Sequence, residues 1–340
     1  MRVLKQITVV DTHTAGEPTR IWLSGISNLP GASMAEKRDW VARYHDKLRT
    51  FLMQEPRGHK GMCGALLTQP ADPHAVAGVI FMDNHRYMDM CGHATIGVAT
   101  AMAEMGTIEC QEGENELALD TPAGVVNVHI KIVNGVVEEV RFRNVPSFHC
   151  ASGRISLPDI GDVPIDVAYG GNVFVLVEAK YLNVEIRPDN LPILKELATQ
   201  LLREMDAQAA ILHPRTGTPL KPTWVQFYDE EEDPPRNIVI GARRDPDSGE
   251  VIFCNKVDRS PCGTGLSAKL AMLYSKGKLT VGTDYWYQSV IGTRFRGRIV
   301  AEVDEGVIPE IAGRAFITGI AHLVAEEDDP LAWGFFLPEG

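Results

Sequence analysis

The sequence predicts a mixed α/β protein made of two similar lobes, and three observations point there. Two Cys-Gly pairs, Cys91-Gly92 and Cys262-Gly263, sit 171 positions apart in a chain of 340 residues. Each pair follows an apolar, strand-like run, Val79-Ile80-Phe81 or Val251-Ile252-Phe253, and precedes a helix-like stretch of small and apolar residues. A further glycine, Gly106 or Gly277, falls fifteen positions after each cysteine. Two matching units half a chain apart read as a duplication.

The elements follow in order. Val3 to Val10 reads as a strand running into a polar loop, Asp11 to Arg20, before Ile21 to Leu23 resumes extended structure. Residues 34 to 52 carry charges with apolar residues at helical spacing, so that Trp40, Tyr44, Leu48, Phe51 and Leu52 would share one face. A turn-rich loop, Glu55-Pro56-Arg57-Gly58-His59, leads to strands at Ala65 to Thr68 and Val76 to Phe81, then to the first Cys-Gly pair and its helix. Strands at Leu117 to Leu119, Val125 to Ile132 and Val137 to Phe142 follow in hairpin order.

A second half begins near there. Its Tyr169-Gly170-Gly171-Asn172 turn, with Asn172 as a turn residue, enters a strand at Val173 to Val177. A helix from about Leu191 to Met205 and strands at Thr223 to Tyr228 and Ile238 to Ala242 come next. Asp229 to Pro235 and Arg243 to Gly249 read as solvated connections. After the second Cys-Gly pair and its helix, strands near Tyr285 to Ile291, Thr293 to Val303 and Ile308 to Ile320 close the chain.

Composition narrows the function. With 44% hydrophobic residues the chain can bury a substantial core. A formal charge of -12, with the basic residues scattered, argues against nucleic acid or an anionic membrane as a partner. Met1 to Lys5 lacks the apolar core of a signal peptide, and no run of about 18 apolar residues occurs, so a cytoplasmic protein is expected. In that setting Cys63, Cys91, Cys110, Cys150, Cys254 and Cys262 read as thiols. No CxxC, CxxH or HExxH occurs, and no metal is expected. Neither GxGxxG nor GxxxxGK[ST] is present, and no cofactor is expected.

A cysteine in a large chain is ordinarily a small buried hydrophobe, which suffices for Cys63, Cys110, Cys150 and Cys254. Cys91 and Cys262 stand at helix starts, where unpaired N–H groups and the positive end of the dipole stabilise a thiolate and a nearby anion together. Ser260 is placed as an N-cap with Pro261 at the first helical position, which puts Cys262 in the first turn. Two thiols facing one cleft suit a specific task. The amides of Gly92, His93, Gly263 and Thr264 would hold an amino-acid carboxylate while one thiolate removes the α-proton and the other thiol returns one to the opposite face.

The segments Met90-Cys91-Gly92-His93 and Asp258 to Gly265, with Asp11 to Pro18, Glu55 to His59 and Gly170-Gly171-Asn172, resemble the proline racemase family over nearly the whole chain. This family includes proline racemases, 4-hydroxyproline 2-epimerases and trans-3-hydroxyproline dehydratases. The resemblance implies the diaminopimelate-epimerase-like fold: two pseudo-symmetric α/β lobes, each wrapping sheet around a central helix, with the active site in the cleft between them, often as a homodimer. The expected division is 1–135 for the lobe carrying Cys91, with residues from about 320 to 340 packing back on it, and 136–319 for the lobe carrying Cys262. The resemblance further implies Cys91 and Cys262 as the acid/base pair, Gly92, His93, Gly263 and Thr264 as carboxylate binders, and Asp258 as the partner of the ring nitrogen. Read on its own, Asp258 could be only a turn residue before a helix, with a buried carboxylate beside a cationic ring amine as the sharper reading, and His93 could serve through its backbone or its imidazole. His13, Glu55 and His59 are expected to shape the cleft.

Within the family the dehydratases carry threonine at the position of Cys262, so an intact Cys262 favours inversion, which needs a proton donor opposite the base. Proline racemases tend to have phenylalanine at the position of Cys63, and the smaller Cys63 leaves room for a ring hydroxyl. The Gly170 to Phe174 run also resembles the hydroxyproline epimerases, whereas Trp224 stands where they often carry histidine and His59 where they often carry serine. Cys63 and Trp224 are thus the positions expected to bear on specificity. The expected activity is interconversion of trans-4-hydroxy-L-proline and cis-4-hydroxy-D-proline, with proline racemization as the alternative, followed by dehydration of trans-3-hydroxy-L-proline and by non-catalytic amino-acid binding.

Overall fold

Strand β1 (Val3–Thr14) turns back onto β2 (Glu17–Trp22), in antiparallel register from Val9 opposite Trp22 to Thr14 opposite Glu17. This computed structural model describes residues 3–23, 28–207, 211–213, 216–245 and 247–337. Ala15 and Gly16 make the turn with φ of 51° and 95°, the left-handed pair that matches the twist of a two-residue hairpin. The stretch from Asp11 to Arg20 is therefore mostly paired strand, where a polar loop was expected. Its charges are met across the hairpin. Arg20 donates from Nε and Nη2 to the two Asp11 carboxylate oxygens at 2.9 and 2.8 Å, and from Nη1 to the Leu52 carbonyl at 2.9 Å.

These strands belong to the first of two compact units, Met1–Phe142 with Gly313–Gly340; the second is Arg143–Ala312. β1 also pairs antiparallel with the strand Ala315–Glu326, which brings the last part of the chain into the first unit. The single strand expected over 308–320 is two strands with different partners. Gly306–Gly313 pairs with Arg294–Val303, whereas Ala315–Glu326 pairs with β1. β2 continues parallel to β3 (Cys63–Thr68), and β3 antiparallel to β4 (Ala77–Asp83), which is buried throughout. A meander of Gly113–Thr121, Gly124–Val133 and Val136–Arg143 follows.

The helix expected over 34–52 is two, α1 (Met34–Tyr44) and α2 (Asp46–Met53), because His45 leaves helical geometry at φ -135° and ψ 21°. The break changes the phase of the buried face. Met34, Val41, Leu48, Phe51 and Leu52 join Ile7, Val9 and Trp22 in one core, while Tyr44 is exposed and Trp40 only partly buried. Alternation along β1 sends Thr12 and Thr14 to the other face, against α3 (Gly92–Glu104). There Gly97 permits close approach: a Cβ on it would lie 2.7 Å from Thr12 Oγ1. α3 is buried on every side from Gly92 to Met102, as expected of a helix apolar all round.

In the second unit, Phe148–Leu157, Gly161–Tyr169 and Val173–Glu178 pair antiparallel in sequence order. Val173–Glu178 then runs parallel to Trp224–Asp229, which continues antiparallel through Arg236–Arg244 to Val251–Asp258. The amphipathic α4 (Leu191–Asp206) buries Leu194, Leu197, Leu201, Leu202 and Met205 in a core with Val225, Phe227, Ile238 and Ile240. α5 (Gly263–Ser275) is buried from Gly265 to Leu273 and makes its contacts on the other side, with Gly265 against Gln226 and Val239. No helix among the described residues is long and apolar enough to cross a membrane.

The repeated glycines end both helices the same way. Gly106 and Gly277 take φ of +66° and +67°. Gly106 N–H donates to the Ala103 carbonyl and Thr107 N–H to Met102, while Gly277 donates to Tyr274 and Lys278 to Leu273. This is the paired Schellman closure, and it explains why a glycine recurs at the same distance from each cysteine.

Candidate active site

Cys91 is the N-cap of α3, with φ -146° and ψ 111°, and Gly92 and His93 are the first two helical residues. Helix geometry aims their backbone N–H groups off the end of α3, where the dipole is positive. The Thr14 hydroxyl donates to the His93 carbonyl at 2.8 Å, tying this helix end to the β1–β2 hairpin. The His93 ring turns toward the cysteine, its Nδ1 3.4 Å and its Nε2 3.7 Å from Cys91 Sγ. Both readings of His93 therefore have a physical basis, since its backbone and its imidazole each face the same small region.

Cys63 opens β3 in register with Thr19. Its hydrogen bond with Cys91, reinforced by burial, pushes the Cys63 thiol well above its ordinary range. Glu17, Cys63 and His93 are all buried, and a donor atom from each lies within 4.8 Å of the other two. Glu17 is a functional candidate that sequence reading left inside a motif without a role. Of the flanking residues, His13 stacks on Phe316 at 5.4 Å and accepts from Gly16 N–H through Nδ1, whereas His59 is exposed.

The second cysteine differs in its capping. Cys262 is itself the N-cap of α5, with φ 61° and ψ 105°, and its Sγ accepts from Gly265 N–H at 3.3 Å. Ser260 is therefore not the cap, and Pro261 is not the first helical residue, because the Ser260 hydroxyl is engaged one step earlier. It accepts from Cys262 N–H at 3.1 Å and donates to Asp258 Oδ1 at 2.7 Å. Asp258 Oδ1 also accepts from Ser260 N–H at 2.9 Å, so the turn reading of Asp258 is satisfied by its local bonds. Burial first, then the Asp258 charge, raise the Cys262 thiol well above its ordinary range, opposed by hydrogen bonds from Thr264 and Gly265.

Gly263 and Thr264 are the first two residues of α5, and the Thr264 hydroxyl lies 3.6 Å from Cys262 Sγ. Gly170 presses on the same turn: a Cβ there would overlap the Thr264 carbonyl and the Ala268 amide. Gly170 N–H donates to the Asn172 carbonyl at 3.0 Å, the expected tight turn. Trp224 lies on the α5-facing side of the sheet, two residues along from Gln226, stacked on Phe174 with Lys256 5.5 Å over its ring. Each unit thus gathers its expected residues: Cys63, Cys91, Gly92 and His93 in the first, Asp258, Cys262, Gly263 and Thr264 in the second.

The family model for proline racemase matches residues 9–336. The chain is 41% identical to a proline racemase of Clostridioides difficile, covering 99% of this chain and 100% of that protein. It is 36% identical to a 4-hydroxyproline 2-epimerase of Streptosporangium roseum, over 99% of this chain and 100% of that one. A hydroxyproline epimerase of Agrobacterium vitis, solved with bound trans-4-hydroxy-L-proline, superposes with a TM-score of 0.83 at 32% identity, over 99% and 97% of the two chains. Sequence and fold agree over almost the full length, and the chain belongs to the proline racemase family of isomerases.

Proposed function

We propose that the protein is a cofactor-independent 4-hydroxyproline 2-epimerase. In this reading Cys91 and Cys262 are the two bases. One thiolate takes the α-proton of trans-4-hydroxy-L-proline, the other thiol gives its proton to the opposite face, and cis-4-hydroxy-D-proline leaves with the two sulfurs' protonation exchanged. The amides of Gly92, His93, Gly263 and Thr264 hold the carboxylate, into which charge flows as the α-carbon is deprotonated. Asp258 pairs with the cationic ring nitrogen. Support comes from the placement of both cysteines as N-caps of buried helices.

The observation that carries the choice of substrate is Cys63. It is buried and hydrogen-bonded with Cys91, so the volume of this side chain sets the room beside the proposed base. A cysteine there leaves space for a ring hydroxyl that a phenylalanine would fill. Proline racemization is the second reading, favoured by the 41% identity to the Clostridioides difficile enzyme. Incubation in heavy water with L- and D-proline, trans-4-hydroxy-L-proline and cis-4-hydroxy-D-proline separates them. Fastest deuterium entry at the α-carbon of the hydroxyprolines supports the epimerase; fastest entry into the prolines selects the racemase. Exchange into none of the four sinks both.

A further inference from the structure

Glu17 begins β2, Cys63 begins β3 and His93 lies in the first turn of α3, so three segments far apart in sequence meet at one point. Their donor atoms lie within 4.8 Å of one another, and the residues are only 4%, 3% and 8% exposed. Cys91 adjoins them on two sides, 3.4 Å from His93 Nδ1 and hydrogen-bonded with Cys63. We propose that Glu17, Cys63 and His93, with Cys91 as the fourth donor, form a binding site for a zinc-class divalent cation, and that the bound metal masks the Cys91 thiol.

The donor set selects the metal. One carboxylate, one imidazole and two thiols suit zinc or cobalt and are too soft for magnesium or calcium. Metal–donor distances of about 2.0–2.3 Å place tetrahedral donors roughly 3.3–3.8 Å apart, so the spacing of Glu17, Cys63 and His93 closes by small side-chain movements. Binding converts two thiols to thiolates and releases two protons to solvent, leaving the metal with two sulfur, one nitrogen and one oxygen ligand. The positive end of α3 opposes a cation here, but two thiolates and a carboxylate supply more negative charge than the metal carries. Motif spacing does not announce the site, because Glu17, Cys63 and His93 come from three different elements. The proposal goes beyond epimerization; only its effect on turnover rests on the reading of Cys91 as a base.

The test uses the full-length, reduced, metal-free protein titrated with Co²⁺ and then Zn²⁺. One Co²⁺ per chain should bind with thiolate-to-cobalt charge-transfer absorption and tetrahedral visible bands, and Zn²⁺ should displace it. Cys63→Ala and the near-isosteric Glu17→Gln should each weaken cobalt binding at least tenfold while melting cooperatively, whereas Cys262→Ser should retain the full spectrum. Zn²⁺ should slow alkylation of Cys91 by iodoacetamide at least tenfold, read by peptide mass spectrometry, and leave Cys262 unaffected. The proposal is overturned if no cobalt–thiolate absorption appears, if both Cys63→Ala and Glu17→Gln keep it, if Cys262→Ser abolishes it, or if Cys91 alkylates equally fast with zinc present. All these readouts are independent of turnover, so a protein that inverts no proline can still pass or fail them.

Discussion

The backbone N–H of Gly265 points at the Cys262 sulfur from 3.3 Å, so this thiol caps the helix it begins. The cap holds Cys262 at φ 61°, a left-handed conformation that costs a non-glycine residue about 1–3 kcal/mol and persists only where its surroundings impose it. Here they do so through Ser260, whose hydroxyl connects the Cys262 amide to Asp258. Burial, then Asp258, push the thiol up; Thr264 and Gly265 draw it back.

Removing the Asp258 charge should shift that balance. Asp258→Asn takes away an anion that disfavours the thiolate, so the Cys262 thiol should ionise at lower pH. The pH dependence of Cys262 alkylation, followed at the peptide level, should move to the acid side in this variant. An unchanged or alkaline-shifted profile would remove Asp258 as the source of the effect.

Gly170 should be intolerant of even one added carbon. Its missing Cβ is the space taken by the Thr264 carbonyl and the Ala268 amide, both backbone atoms that cannot rotate away. Gly170→Ala should lower unfolding free energy by about 1–3 kcal/mol, the usual range for overpacking. Urea unfolding of the two proteins gives the difference, and equal midpoints would show that the turn does not bear on α5.

Asp166 should make stability depend on acid pH. Burial alone would raise its carboxyl, but hydrogen bonds from His149, Lys276 and Ser152, with the Lys276 charge, outweigh that and hold it below the usual carboxylate range. Lys276, at the end of α5, donates to it at 2.5 Å, and Ser152 at 2.6 Å. A depressed folded-state pKa gives stability that is present above the unfolded value of about 4 and lost as pH falls through the folded value. Asp166→Asn should therefore cost about 1–3 kcal/mol at neutral pH, with the gap to the unmodified protein narrowing below about pH 4. A gap constant from pH 7 to pH 3 would contradict this account.

What could be read from sequence was what depends on neighbours along the chain. The two Cys-Gly helices and their terminating glycines at 106 and 277 are legible because capping and Schellman closure are local. Asp11 to Arg20 is not legible as strand because its polar residues are satisfied by a partner strand, and composition alone cannot distinguish an ion pair held across a hairpin from a solvated loop. The break at His45 and the division between Gly313 and Ala315 likewise depend on which distant strand or core each segment meets. The meeting of Glu17, Cys63 and His93 had no signal in spacing at all. The cap at Cys262 is not legible because serine is the better intrinsic N-cap; only the Asp258 contact reveals that the Ser260 hydroxyl is already used.

The central claim is that both cysteines move the α-proton, and replacing each in turn tests it most directly. Conversion of trans-4-hydroxy-L-proline in heavy water, followed by proton NMR, should give cis-4-hydroxy-D-proline labelled at the α-carbon with the unmodified protein. Cys91→Ser and Cys262→Ser should each slow that conversion by at least about a hundredfold, the scale of a lost general acid or base. Near-normal conversion by either folded variant would contradict the two-thiol mechanism.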